Sequence, residues 1–232
     1  MPEHTSKQFD AELEAVRSRV LQMGGLVEEQ IIRAMEALAA GDMPQIEKVI
    51  ADDHRVNAME VELDELCSHI IARRQPAAVD LRLLMTVIKT ITDLERIGDE
   101  AEKIGRMAKL IHTAERQHMP RMDLSPMAER ALAMLRQSLD AFARLDVSEA
   151  MRVVKLDSEV DDAFRAIMRQ LITFMMEDPR TITRSLEILF IAKAIERIGD
   201  HAKNMAEYVV YMVKGRDVRH TSIEEVEKEI LQ

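Results

Sequence analysis

Apolar side chains recur at every third or fourth position along most of this chain and almost nowhere alternate. Between Pro44 and Arg74, Ile46, Val49, Val56, Leu63, Cys67 and Ile70 keep this 3,4 spacing. Val153, Val160, Phe164, Ile167, Leu171 and Phe174 repeat it, and Ile188, Ile191, Ile195, Ile198, Ala202, Met205, Val209 and Met212 form an unbroken seam. Such spacing lines one face of an α-helix and is the pattern of packed antiparallel bundles.

Breakers separate six long helical segments. The first runs from Lys7 to Ala40 and stops at Gly41-Asp42. The second runs from Pro44 to Arg74 and stops at Gln75-Pro76. The third spans Ala77 to Ala114. The interior loop richest in breakers, Met119-Pro120 to Ser125-Pro126, follows. The fourth segment runs from Pro126 to Leu145, and the fifth is capped by Asp146 or Ser148 and ends before Asp178-Pro179. The sixth spans Thr181 to Lys214, before Gly215. Thr221 with Glu224 three residues on is a capping box that predicts a short tail helix. At ~1.5 Å per residue, 30-residue helices are ~45 Å long, so the expected shape is an elongated rod.

The chain also repeats itself. Glu95-Arg96-Ile97-Gly98-Asp99 recurs letter for letter as Glu196-Arg197-Ile198-Gly199-Asp200. Asp53-His54-Arg55-Val56-Asn57 parallels Asp157-Ser158-Glu159-Val160-Asp161, and Pro76 parallels Pro179. The expected fold is all-α, with two tandem pseudo-symmetric three-helix bundles, residues 1–118 and 119–232.

Composition sharpens this picture. The 232 residues include seven glycines and six prolines, against about 28 together at average usage. That disfavours sandwiches, barrels and glycine-looped nucleotide folds. The net charge of −10 argues against nucleic acid as a ligand, because phosphate binding needs clustered Lys and Arg. One cysteine, Cys67, precludes an intrachain disulfide and fits a reducing compartment. The polar, acidic start carries no secretory signal, and no apolar run is long enough to span a membrane. The expected location is the cytoplasm.

The candidate chemistry lies in the acids. Asn57 and Glu95 each stand 19 residues from Pro76, and Asp53 and Asp99 each stand 23 from it. Antiparallel helices leaving one turn bring equal counts to equal heights. Glu95 and Asp99 are therefore expected to face Asp53, and Glu196 and Asp200 to face Asp157 and Asp161. Acids four apart on a helix repel unless neutralised, and a hard divalent cation would neutralise them. The plainer alternative is a salt-bridged face, with Arg96, Lys103, Arg197 and Lys203 close enough to pair. Counting carboxylates, three against four, predicts tighter binding at the second site. Mid-helix Gly98, Gly199 and Gly24-Gly25 suggest close backbone approach or simple kinks. Glu115 and His118 have ferritin-type ExxH spacing without the second copy such a site requires. Cys67 lies on an apolar seam, and the 17 methionines read as adaptable core filler or, alternatively, as a docking surface.

At these residues the chain resembles the PhoU family of phosphate-transport regulatory proteins. The resemblance covers nearly the whole chain. It includes the twin pentapeptides, Gln8 to Glu14, Met23-Gly24-Gly25, Arg74-Gln75-Pro76, Asp80 to Leu83, Asp140 to Arg144 and Met175 to Asp178. It implies a cytoplasmic, non-enzymatic negative regulator of the phosphate-starvation response. As an adaptor it would bridge the ATPase of the phosphate ABC transporter and the membrane sensor histidine kinase, and it would form a homodimer. It further implies divalent or iron-type metal ions at Glu95, Asp99, Glu196, Asp200, Asp157, Asp161 and Asp53. Asn57 departs from the family's acidic pattern at the first site. A different class, a metal-dependent hydrolase of phosphate compounds, is disfavoured because no histidine or lysine is evident beside the acids to act as acid or base. A purely structural bundle without partners is the third reading.

Overall fold

The computed structural model describes residues 7–113, 120–218 and Thr221. The tail helix expected beyond Thr221 and the Glu115–His118 motif lie outside the described residues. Of the described residues 91% are helical, with no strand among them. The helices are α1 (Lys7–Ala40), α2 (Met43–Asp52), α3 (His54–Arg74), α4 (Ala78–Thr113), α5 (Ser125–Arg144), α6 (Val147–Glu177) and α7 (Ile182–Lys214), with a 3-10 turn at Pro179–Thr181.

The helix stops follow local chemistry. Gly41 (φ 69°) and Gly215 (φ 74°) end α1 and α7 in the left-handed region, where glycine lacks the Cβ penalty. The Asp42 and Asp146 side chains cap the N-termini of α2 and α6 by accepting backbone N–H bonds. One expectation needs correction. The second segment is two helices, interrupted at Asp53. His54 Nδ1 lies 2.6 Å from the Ala51 carbonyl oxygen, so a side chain enters the backbone ladder there. The Asp53 carboxylate is meanwhile drawn inward.

Helices α1 to α4 pack on one another, as do α5 to α7. The most extensive helix pairing, α4 against α7, joins the two halves, and α1 also packs on α5. One hydrophobic cluster runs through both halves, from Val16, Met23 and Ile97 to Phe142, Ile195 and Val209. Burying each such side chain stabilises the fold by about 1.5–3 kcal/mol. Gly24 lies where α1 closely approaches α5: a Cβ there would lie 2.6 Å from both Leu139 methyls, so the Leu139 side chain would have to move. Gly25 faces open space, so close approach does not explain it.

Candidate acidic sites

The first site forms where the α2–α3 junction meets α4. Asp53 is buried, and each of its oxygens is held by a neutral amide. Gln30 Nε2 donates to Oδ1 at 3.2 Å and Asn57 Nδ2 donates to Oδ2 at 3.2 Å. No lysine or arginine pairs with it among the described residues, so its charge stays local. Glu95 and Asp99 lie one turn apart on α4. Burial raises the pKa of Glu95, and the Asp99, Glu60 and Asp53 charges raise it further. Burial likewise raises that of Asp99, with Asp53 the leading charge. Neither carboxylate has a hydrogen-bond or ion-pair partner among the described residues. Gly98 permits this approach, because a Cβ there would lie 3.3 Å from Gln30 Oε1 and 3.4 Å from Asp53 Oδ1.

The second site forms between α6 and α7. Asp161, Glu196 and Asp200 bring one carboxylate oxygen each within 4.8 Å of one another. No comparably tight group occurs among the described residues of the first half. Asp157 does not join the trio directly: Lys203 Nζ donates to its Oδ2 at 2.7 Å. Lys193 Nζ reaches both Glu196 oxygens at 2.5 Å, and Arg165 reaches Asp161 at 3.2 Å. Asp200 has no hydrogen-bond or ion-pair partner among the described residues. Its pKa is pushed up to about 6, first by burial and then by Glu196 and Asp157, with Lys193 opposing.

The expected facing arrangement is thus present in both halves, with differences in detail. Of the cations expected to pair, only Lys203 binds a site acid. Arg197 turns across to Glu100 at 2.8 Å, and Lys103 joins Glu100 at 3.2 Å. Beside them Asp93 of α4 meets His201 Nδ1 of α7 at 2.7 Å, and Asn204 donates to the same oxygen at 3.3 Å. Residues adjoining the two acidic sites therefore link α4 to α7.

Three participants went unrecognised in the sequence. Gln30 is a polar residue on the buried seam of α1, a signal that was there to read. Glu60 lies three residues beyond Asn57 and accepts from Thr92 Oγ1 at 3.2 Å. Lys193 lies three before Glu196, which corrects the view that no lysine stands beside the acids. Both lysines are engaged in ion pairs, Lys193 with Glu196 and Lys203 with Asp157. Burial lowers the Lys203 pKa, but its Asp157 bond and the nearby acids outweigh that and raise it overall. Cys67 is buried, and burial pushes its thiol up to about 12, so it is not a nucleophile.

The spacing of the second acidic group is compatible with a single hard cation. Oxygens on one ion with bonds of about 2.0–2.6 Å can lie at most about 5 Å apart, and the second trio meets that limit. At the first site the Gln30 Oε1 and Asn57 Oδ1 atoms are buried without partners, beside an Asp53 already oriented by the same two side chains.

Fold and sites together define a duplicated long-helix bundle with one acidic face in each half. The PhoU domain model matches this sequence twice, over residues 20–108 and 124–209. The phosphate-specific transport system accessory protein PhoU of Escherichia coli (strain K12) is 48% identical over 226 residues, covering 97% of this chain and 93% of that protein. A homologue from Caulobacter vibrioides is 38% identical, covering 94% and 95%. The crystal structure of PhoU from Pseudomonas aeruginosa superimposes with a TM-score of 0.85 at 45% identity, covering 90% of this chain and all of that one. The Streptococcus pneumoniae phosphate transport system regulatory protein PhoU gives a TM-score of 0.84 at 28% identity. The chain belongs to the PhoU family, and its role lies with the phosphate-specific transport system.

Proposed function

We propose that this protein is a cytoplasmic, non-enzymatic negative regulator of phosphate uptake and of the phosphate-starvation response. It acts as an adaptor between the transporter ATPase and the sensor histidine kinase, as a homodimer in which each chain carries two repeats, residues 1–118 and 119–232. The observation that carries this reading is the double match to the PhoU domain, together with relatives named as transport-system accessory proteins. No helix among the described residues is long and apolar enough to cross a membrane, which suits attachment through membrane partners. The decisive experiment is a pull-down from membranes of cells grown in high phosphate. Recovery of the transporter ATPase and the kinase supports the adaptor, and recovery of neither overturns it.

The acidic sites take divalent or iron-type cations. Asp161, Glu196 and Asp200 are direct ligands in the second half, with Asp157 released from Lys203 or left in the outer shell. Asp53, Glu95 and Asp99 serve in the first. Support comes from the 4.8 Å grouping and from two unpartnered amide oxygens beside Asp53. Asn57 then acts as a donor that orients Asp53, so its departure from the acidic pattern does not abolish the site. A hydrolase would turn over phosphate esters with Mn or Mg present. None is expected here, because the site lysines are held in ion pairs.

A further inference from the structure

Four large apolar side chains stand exposed at the tip of the α6–α7 hairpin. On α6, Ile172 is 44% and Met176 80% exposed, and on α7, Ile182 is 43% and Leu186 41% exposed. The Lys193 ammonium, 5.4 Å from the Phe164 ring, sets the relative height of the two helices. At equal rise from that contact, Ile172 lies level with Leu186 and Met176 with Ile182. The exposed Phe190 of α7 and Leu110 of α4 extend the surface, with the Leu110 carbonyl accepting from Arg184 Nη1 at 3.3 Å. Together these side chains expose on the order of 500 Å², the size at which a patch on a monomer is commonly functional. The first half has no equal. Ser68 and Ala72 stand where Ile172 and Met176 do, and Lys89, 5.4 Å from the Tyr208 and Tyr211 rings, stands where Phe190 does.

The charges around the tip select its occupant. Residues 165–190 hold three acids and four bases, in a chain of net charge −10. Arg165 pairs with Asp161 and Asp162, Arg180 with Asp178, and Arg184 with Glu187. That leaves Arg169 and Glu177, neither of which has a side-chain partner among the described residues. They stand four residues on either side of Thr173, so all three lie in one row on α6, with Ile172 and Met176 beside it. Opposite charges placed evenly about one residue are self-complementary under a two-fold axis. Two α6 helices packed antiparallel about Thr173 bring Arg169 of each to the height of Glu177 of the partner subunit. Ile172 of each then lies within about 3 Å in height of Met176 of the partner subunit.

We propose that this tip is the contact between two copies of the chain, an antiparallel two-fold pairing of α6–α7 hairpins centred on Thr173. Two such faces bury about 1,000 Å², the least that a specific interface needs. The contact falls where an acidic chain repels itself least. It closes two ion pairs, so neither Arg169 nor Glu177 is left without a counter-charge. An unrelated partner would have to supply both charges, whereas a second copy carries them at the required spacing. The inference rests on the homodimer reading and names its surface and register.

Sedimentation equilibrium of the full chain, at about 50 mM salt so that ion pairs are only partly screened, tests this. The parent is expected to dimerise. Arg169→Glu puts like charges in both bridges, and Glu177→Arg does the same with the other sign, so each weakens dimerisation about tenfold or more. Mixed in equal amounts, these two variants regain opposite charges in both bridges and are expected to pair within about threefold of the parent's affinity. Met176→Ser weakens dimerisation about tenfold, while Met85→Ser, on the first half, stays within about twofold. Circular dichroism of every variant remains that of the parent. A parent dimer that Arg169→Glu and Met176→Ser leave unchanged overturns this surface and leaves the homodimer standing. Single variants that weaken association but do not recover on mixing overturn the two-fold register. A parent that stays monomeric overturns the homodimer and this contact together, and loss of membrane pull-down by Met176→Ser would then assign the tip to a different protein.

Discussion

The two pentapeptides Glu95–Asp99 and Glu196–Asp200 are identical in sequence, yet they sit in opposite electrostatic settings. In the first half the facing carboxylate, Asp53, is held by two uncharged amides, and Thr92 bonds a further acid, Glu60. In the second half the residue matching Thr92 is Lys193, which neutralises Glu196, and the one matching Glu102 is Lys203, which binds Asp157. Phe164 replaces Glu60. One site leaves its acids without a cationic partner among the described residues, while the other gathers three acids within 4.8 Å and compensates its neighbours. Identical motifs therefore define where acids stand, and the flanking residues decide how much free charge they present.

The largest expected effect tests which of these matters more for cations. Saturating Mn, at about 100 times its dissociation constant, stabilises a single-site protein by about 2.7 kcal/mol. Because the second trio is preassembled, Asp200→Asn is expected to remove most of that gain and Asp99→Asn a smaller part. Lys193→Met frees Glu196 and is expected to tighten Mn binding severalfold. Melting temperature against Mn and Mg concentration reads all of these. Identical curves for parent, Asp99→Asn and Asp200→Asn mean that the acids are a solvated or salt-bridged face.

The next effect separates the amide-held acid from the lysine-held one. Asp53→Ala strands the buried amides of Gln30 and Asn57, whose carbonyl oxygens already lack partners. An unsatisfied buried group costs about 1–3 kcal/mol, so a loss of about 2 kcal/mol is expected. Asp157→Ala releases Lys203, whose side chain is a third exposed and can hydrate, so its loss is about 1 kcal/mol or less. Urea unfolding without cations measures both. Equal losses would show that the amide cradle adds nothing.

The pH dependence of the second site carries a definite sign. Asp200 rises from 3.8 to about 6 on folding, so the native state binds more protons than the unfolded state between those values. Its contribution is fully present below pH 4 and is lost as pH rises through 6. Allowing for its partial exposure, the loss is about 1–2 kcal/mol. Without cations, Asp200→Asn is expected to be more stable than the parent at pH 7.5 and nearly equal to it at pH 4. A parent advantage that grows with pH contradicts the repulsion.

Much of this was legible from residue counts. Breakers, seams and the distances to Pro76 and Pro179 placed the long helices and brought the paired acids face to face. The break at Asp53 was not legible, because the apolar seam from Ile46 to Ile70 passes through it unperturbed and the interruption depends on the His54 side chain meeting Ala51. Asn57 looked like a missing ligand, whereas in three dimensions it is a donor to Asp53. Gln30 contacts the site from a separate helix, and no spacing rule connects positions 30 and 53. The cross-links Asp93–His201 and Glu100–Arg197 depend on how α4 crosses α7, which periodicity within one helix does not specify.

The smallest effect uses the paired glycines, and it isolates the acidic cradle from everything else the halves share. Alanine in a helix interior is favoured over glycine by about 1 kcal/mol. A Cβ at residue 199 would meet Val160 Cγ1 at 3.4 Å and Met134 Sδ at 3.6 Å, ordinary contacts between apolar groups. Gly199→Ala is therefore expected to stabilise by close to the full propensity gain, raising the melting temperature by about 2–4 °C. A Cβ at residue 98 would lie 3.3 Å from both Gln30 Oε1 and Val56 Cγ1, and 3.4 Å from Asp53 Oδ1. To give way, the Gln30 and Asp53 side chains must lengthen a buried hydrogen bond that is already 3.2 Å. That strain offsets the propensity gain, so Gly98→Ala is expected to leave stability unchanged or lowered by up to about 1 kcal/mol. Paired thermal melts without cations decide it. If both alanines stabilise alike, α4 approaches Asp53 no more closely than α7 approaches α6, and the first site has the slack of an ordinary helix contact.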